Sequence, residues 1–255
     1  MTTHESVLEA IKEKLKTLRL KSCADNIQQI LGRAEKQNLS TLQVIERLLD
    51  LELEHRRQCR ILLKYKQSKL YEKPTINQFD FHFHPSRMKQ KNRILHLMDL
   101  VFIQQKKDII LIGNTGLGKS FLAKCIAYAA TQTGIGALFT TGMDMINHLA
   151  AAEADHSLLK KLYLYQTPEV LVIDEVGYLP LGNQGSNLFF QVISARHEKK
   201  STVITTNLPF ADWGKIFDST TVATAIADRL VNNSEVIIFE GPSYRTRSKA
   251  KHVDD

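Results

Sequence analysis

The chain has 255 residues, 43% of them hydrophobic, which is enough for one substantial core with a small satellite domain and excludes a wholly disordered chain. Lys and Arg number 34 against 27 Asp and Glu, a formal net charge of +7, the balance expected of a chain with a polyanionic partner. Cys23, Cys59 and Cys125 lie far apart without C-x-x-C spacing, so neither a disulfide framework nor a zinc site is supported. No apolar run approaches the roughly 20 residues that cross a bilayer, and the opening MTTHESVLEAIKEKLKTLRL lacks a signal-peptide core, so no membrane association and a cytoplasmic location are expected.

Residues 1–73 read as a small all-α domain. Val7, Leu8, Ile11, Leu15 and Leu18 recur at helical spacing, as do Ile27, Ile30, Leu31 and Ala34, which predicts two amphipathic helices. Ser40 and Gln43 have the spacing of a capping box. They open a longer helical pattern through Leu42, Ile45, Leu49 and Leu53 that runs into the basic stretch HRRQCR. The leucines do not sustain the heptads of a coiled coil, so a small bundle is the expected form. Residues 1–75 hold 9 Lys and 6 Arg against 10 acidic residues, most of the chain's positive surplus. Arg56, Arg57 and Arg60 are the candidate DNA-phosphate contacts there.

Pro74 and Pro85 bracket an aromatic stretch that predicts a linker over residues 74–86, with Phe79, Phe81 and Phe83 docking on the domain beyond it. His82 and His84 stand two apart, but no third ligand completes a metal set. That second domain, over 87–255, begins with one helical pattern carrying Ile94, Leu95, Met98, Val101 and Phe102 on a face, with Arg87, Lys89, Lys91 and Arg93 near its start. Beyond it, DIILIG, ALFTT, EVLVIDE, STVITTN and SEVIIFE alternate with helical stretches. That order predicts an α/β fold with a five-stranded parallel sheet, flanked by helices and carrying its site at the carboxyl ends of the strands.

GNTGLGKS matches G-x-x-x-x-G-K-[ST] between a predicted strand and a predicted helix. In such a loop, backbone N–H groups and the helix N-terminus converge on phosphate oxygens. Gly113, Asn114, Thr115, Gly116, Leu117, Gly118, Lys119, Ser120 and Phe121 are therefore the ATP-binding candidates. Lys119 is assigned to the β and γ phosphates and Ser120 to Mg²⁺. VLVIDE ends a hydrophobic strand in two acids, with Asp174 placed to hold Mg²⁺ through water and Glu175 to polarise the attacking water. Asn207 closes the STVITTN strand, where it could orient that water, sense the γ-phosphate or simply form a turn. No N-K-x-D motif for guanine occurs, which favours adenine.

Beyond these motifs, LFFQVISARHE, TTNLPFADWGKIF, AIADRL and GPSYRTRSK make the chain resemble, over nearly its whole length, the IstB-like transposition helper ATPases. These are relatives of the helicase loader DnaC in the initiator branch of AAA+ proteins. The resemblance implies an AAA+ P-loop sheet preceded by a helical domain, Asn207 as sensor 1, Arg229 as an arginine finger for a neighbouring subunit, and Arg245 as sensor 2. Without it, Arg229 reads as a surface arginine paired with Asp228. It further implies an ATPase that forms homo-oligomers on duplex DNA in ATP and recruits and stimulates a transposase, with an inserted helix between the second and third strands offering Lys160 and Lys161 to DNA. Two other functions fit the motifs: a DnaC-like helicase loader, and a P-loop kinase of a small molecule. Against the kinase stands the water-activating arrangement of Asp174, Glu175 and Asn207.

Overall fold

The computed structural model describes residues 3–244. It divides into two compact units, Met1–Leu63 and Lys64–Asp255. The division falls inside a helix, ahead of the boundary expected at residue 73.

The first unit contains α1 (Thr3–Thr17), α2 (Lys21–Gln37) and most of α3 (Thr41–Gln67). Cys23, Ala24, Ile27, Ile30 and Ala34 on α2 form its buried face. The expected capping box is present: Gln43 N donates to Ser40 Oγ at 3.3 Å and Ser40 N to Gln43 Oε1 at 2.8 Å. Leu20, at the N-cap of α2, makes no side-chain cap. The N-terminus of the helix is met instead by Glu52, which accepts from Ser22 N at 2.9 Å and Cys23 N at 3.4 Å. A carboxylate there complements the positive end of the helix dipole.

In the second unit, the segment expected as a linker is packed. Leu70 and Phe79 are buried in the core, and Phe139 N on the outer strand of the sheet donates to Ser68 O at 2.9 Å. The expected single entry helix is three: α4 (Pro85–Lys89), α5 (Lys91–Met98) and α6 (Val101–Gln104). Pro85 at the first turn of α4 fits its fixed φ. Leu100, with φ of 59°, turns the chain between α5 and α6, a conformation that no residue type there announces.

Five strands and their connecting helices complete the unit: β1 (Asp108–Gly113), α7 (Lys119–Gln132), β2 (Ala137–Thr141), α8 (Gly142–Ala154), α9 (Leu158–Gln166), β3 (Val170–Val176), α10 (Gly182–Arg196), β4 (Ser201–Thr206), α11 (Thr220–Val231) and β5 (Ser234–Phe239). All strand pairs are parallel, in the order β2-β3-β4-β1-β5. Ile110, Leu171, Ile173 and Ile204 face one core, filled by residues of α8 to α11. Ile109, Leu111, Val170, Val172 and Val203 face the other, with Ile94, Leu97, Leu122 and Ile126 from α5 and α7. Helices on both faces are why these strands read as continuous apolar runs. At the amino ends of the strands, the buried Arg196 donates to Tyr165 O at 3.0 Å and Pro168 O at 2.9 Å, tying the last turn of α9 and the loop before β3 to the end of α10.

Candidate functional site

β1 is a central strand, and at its carboxyl end the chain turns through residues 113–118 into α7. Gly116 and Gly118 hold φ of 83° and 91°, left-handed values that favour glycine. Space excludes a side chain as well: a Cβ at Gly116 would fall 2.0 Å from Ser243 Oγ, and one at Gly118 would fall 2.8 Å from Phe79 Cε2. Lys119 Nζ donates to Asn114 O at 2.9 Å, so the loop closes on its own lysine.

A cleft of about 410 Å³ opens over this loop. Thr115, Gly116, Gly118, Lys119, Ser120 and Phe121 form its floor, with Glu175 from β3 and Asn207 from beyond β4 on one side. Further lining comes from Gln78, Phe79 and Asp80 of the stretch expected as a linker, from Arg87 of α4, and from Tyr244 of the closing GPSYRTRSK motif. Among the expected ATP-binding residues, Gly113, Asn114 and Leu117 belong to the loop without lining the cleft. Leu117 is buried in the core, and Gly113 lies so close to Phe239 O that a Cβ there would sit 2.3 Å from it.

The acid pair is held by strand geometry. Between Ile173, paired with Ile204, and Val176, paired with Thr206, β3 carries one residue more than β4, an irregularity of the bulge type. Glu175 lies in it with φ of 59° and is exposed. Asp174 is 5% exposed. Thr205, opposite the extra residue, accepts from Glu175 N at 2.9 Å and donates its hydroxyl to Asp174 Oδ1 at 2.5 Å. Among the described residues, no hydrogen bond engages Asp174 Oδ2. A carboxylate oxygen of this kind, like the hydroxyl of Ser120 at the start of α7, is the type of ligand a hard divalent cation takes.

Arg87 went unassigned in the sequence and is central here. It is 4% exposed, with Nη2 donating to Leu117 O and Nη1 to Asp80 O, both at 2.9 Å. Its guanidinium lies 4.6 Å from the ring centre of Phe79, 4.8 Å from that of Phe83 and 5.3 Å from that of Tyr244. Burial pushes its pKa down, opposed by the nearby Asp80 carboxylate. Tyr244 N in turn donates to Gly116 O at 2.9 Å. Two adjacent carbonyls of the phosphate loop, those of Gly116 and Leu117, are thus held by groups more than 25 residues away in sequence.

The remaining expected site residues lie elsewhere. Arg229 is on α11, half-buried, with Nη1 donating to Ala225 O at 2.9 Å and its guanidinium 4.7 Å from the Phe190 ring centre. It does not line the cleft. Arg245 lies outside the described residues. Arg56 is tied to Glu52 at 2.9 Å, and Arg57 approaches Glu54 at 3.7 Å; Arg60 is exposed on the same helix. Lys160 and Lys161 are exposed on α9, one of two helices that fill the expected insertion. Among the described residues, no cluster of three or more His, Cys, Asp or Glu could hold a metal, so His82 and His84 stand without further ligands. Nor is any described helix long and apolar enough to cross a membrane.

The family model described as IstB-like ATP binding protein matches residues 13–252. The chain is 32% identical to the IS232 insertion-sequence protein of Bacillus thuringiensis subsp. berliner, named for ATP binding, over 97% of this chain and 98% of that protein. It is 36% identical to the likewise named IS5376 protein of Geobacillus stearothermophilus, over 94% and 95%, and 33% identical to that of IS21 from Pseudomonas aeruginosa, over 93% and 89%. Among solved structures, the DnaC helicase loader superposes with a TM-score of 0.59 at 21% identity, covering 68% of this chain and 99% of that one. AMPPCP-bound DnaA from Aquifex aeolicus superposes with a TM-score of 0.57 at 14% identity, covering 73% and 57%. These likenesses show the fold: an AAA+ P-loop sheet with flanking helices, preceded here by a helical segment.

Proposed function

The chain belongs to the IstB-like ATP-binding family, and from that premise we propose that it is a DNA-dependent, Mg²⁺-requiring ATPase. In this reading it oligomerises on duplex DNA in its ATP state and recruits and stimulates a transposase for insertion-sequence transposition. The observation that carries the reading is the meeting of Lys119, Ser120, Glu175 and Asn207 at one cleft.

Phosphoryl transfer to water needs positioning and charge stabilisation more than covalent help from the protein. On nucleotide binding, Lys119 exchanges the Asn114 carbonyl for β and γ phosphate oxygens, and the N-terminus of α7 adds its positive dipole end. Ser120 and Asp174 would hold Mg²⁺, which would supply charge neutralisation for the phosphates. Glu175 takes the proton of the attacking water, and Asn207 orients that water or reads the γ-phosphate. Arg229 sits away from its own chain's cleft, which supports its use at a neighbour's site, and Arg245 is proposed to contact the nucleotide in cis.

On DNA, Arg60, Lys160 and Lys161 are proposed to face phosphates, with Arg56 and Arg57 contributing while shared with glutamates. The helicase-loader alternative draws on a fold likeness at 21% identity. The relatives matched over nearly their whole length carry insertion-sequence names, which favours transposition.

The test is ATP turnover with and without duplex DNA, alongside particle size by light scattering in a slowly hydrolysed analogue or in ADP. Stimulation by DNA and growth only with the analogue are expected. A rate indifferent to DNA together with no duplex binding would sink the proposal, and a monomer under every condition would remove the trans role of Arg229.

A further inference from the structure

The geometry points to Thr205 as the residue that positions both acids of the site, and the inference rests on the ATPase reading above. Three observations converge on one hydroxyl. First, β3 carries an extra residue opposite Thr205, and an extra residue in one strand leaves a backbone N–H without its ladder partner. Second, the N–H left over is that of Glu175, and Thr205 Oγ1 accepts it at 2.9 Å. Third, the same oxygen donates to Asp174 Oδ1. A hydroxyl has one proton and lone pairs to accept with. With the proton committed to Asp174, it is the lone pair that receives Glu175 N–H, so both bonds can form together.

Each bond does separate work. The bond to Asp174 fixes the carboxylate so that Oδ2 is the oxygen offered to Mg²⁺. The bond to Glu175 N–H fixes the peptide plane that aims an exposed side chain with positive φ at the position of the water. Thr205 lines the cleft yet is only 1% exposed, which leaves solvent little access to compete for its hydroxyl. It is a positioning residue, acting on the metal and the water only through Asp174 and Glu175. Outer partners of this kind typically alter metal affinity or activity by about 10–100-fold when removed.

The test uses the full chain with Thr205→Val, which keeps the branched shape and loses the hydroxyl, and Thr205→Ser, which keeps the hydroxyl. Binding of a fluorescent ATP analogue is titrated against Mg²⁺ and repeated in EDTA. In the valine variant the Mg²⁺ concentration for half-maximal enhancement should rise about tenfold, with affinity in EDTA unchanged, and the serine variant should return it to the wild-type value. An unaltered Mg²⁺ dependence in the valine variant, or a folded serine variant that behaves like valine, overturns the proposal. A third measurement needs no variant: in the nucleotide-free wild type, the Glu175 amide should exchange with deuterium far more slowly than an unbonded exposed amide, and rapid exchange overturns the proposal even if the valine variant does not fold. Because these readouts precede hydrolysis, failure of the ATPase reading appears separately, as Mg²⁺-dependent binding without turnover.

Discussion

Replacing Arg87 by methionine removes a buried guanidinium while keeping most of its apolar stem. Two charge-assisted hydrogen bonds are lost, to Asp80 O and Leu117 O, each worth about 1.5–3 kcal/mol. The three aromatic contacts add roughly 0.5–2 kcal/mol each where desolvated. Against this, a buried cation is costly to desolvate, and Arg87 Nε is buried without a partner among the described residues, so the variant is relieved of part of the burden. A net loss of about 2–4 kcal/mol results, which for a unit of this size lowers Tm by roughly 4–16 °C. Because one lost bond ends on the phosphate loop itself, ATP affinity should also fall by about tenfold or more, the equivalent of ~1.4 kcal/mol. Arg87→Lys keeps a charge but cannot span both carbonyls, and should fall between. Thermal unfolding and nucleotide titration measure the two effects, and a methionine variant with wild-type Tm and wild-type ATP affinity would refute the assignment of Arg87 as a clamp on the loop.

Glu175→Gln should bind ATP and hydrolyse it at least about a hundredfold more slowly; unchanged turnover removes Glu175 as the base. Lys119→Ala should lose nucleotide binding, and tight ATP affinity in that variant would contradict the phosphate-loop assignment. Arg229→Ala should bind ATP normally yet hydrolyse poorly, and mixing it with Glu175→Gln should recover part of the activity, since each variant supplies what the other lacks; no recovery argues against action in trans. Burial raises the pKa of Asp108 to about 7 from an ordinary 3.8. A raised folded pKa gives stability that is present below the unfolded value and lost as pH climbs through the folded one. The Tm of Asp108→Asn relative to wild type should accordingly increase between about pH 4 and pH 8, and a pH-independent difference would refute the shift.

The parallel sheet was legible because both faces of its strands are covered, which forces continuous apolar runs between helical patterns. The phosphate loop and the acid pair were legible because their chemistry sits in consecutive residues. Arg87 and Thr205 were not, since each acts on a partner about 30 residues away through a contact that only the fold creates. Pro74 and Pro85 suggested a linker from composition, but Phe79 is stacked near Phe121 at 6.4 Å and edge-on to Phe81 at 5.0 Å, and the segment becomes a wall of the cleft. The aromatic spacing of FDFHFH was the signal that pointed there. The break in the entry helix at Leu100 left no such trace, because neither glycine nor proline marks it.

Ser243 and Tyr244 rest on Gly116, the first by close approach and the second by a backbone hydrogen bond. Trimming the chain ahead of residue 243 therefore edits the nucleotide cleft itself, and a fall in ATP affinity after such a deletion says nothing about the basic residues beyond Tyr244. The contribution of Arg245 is separable only by point substitution in a chain that keeps Ser243 and Tyr244, and affinity tags for nucleotide-binding work belong at the opposite terminus.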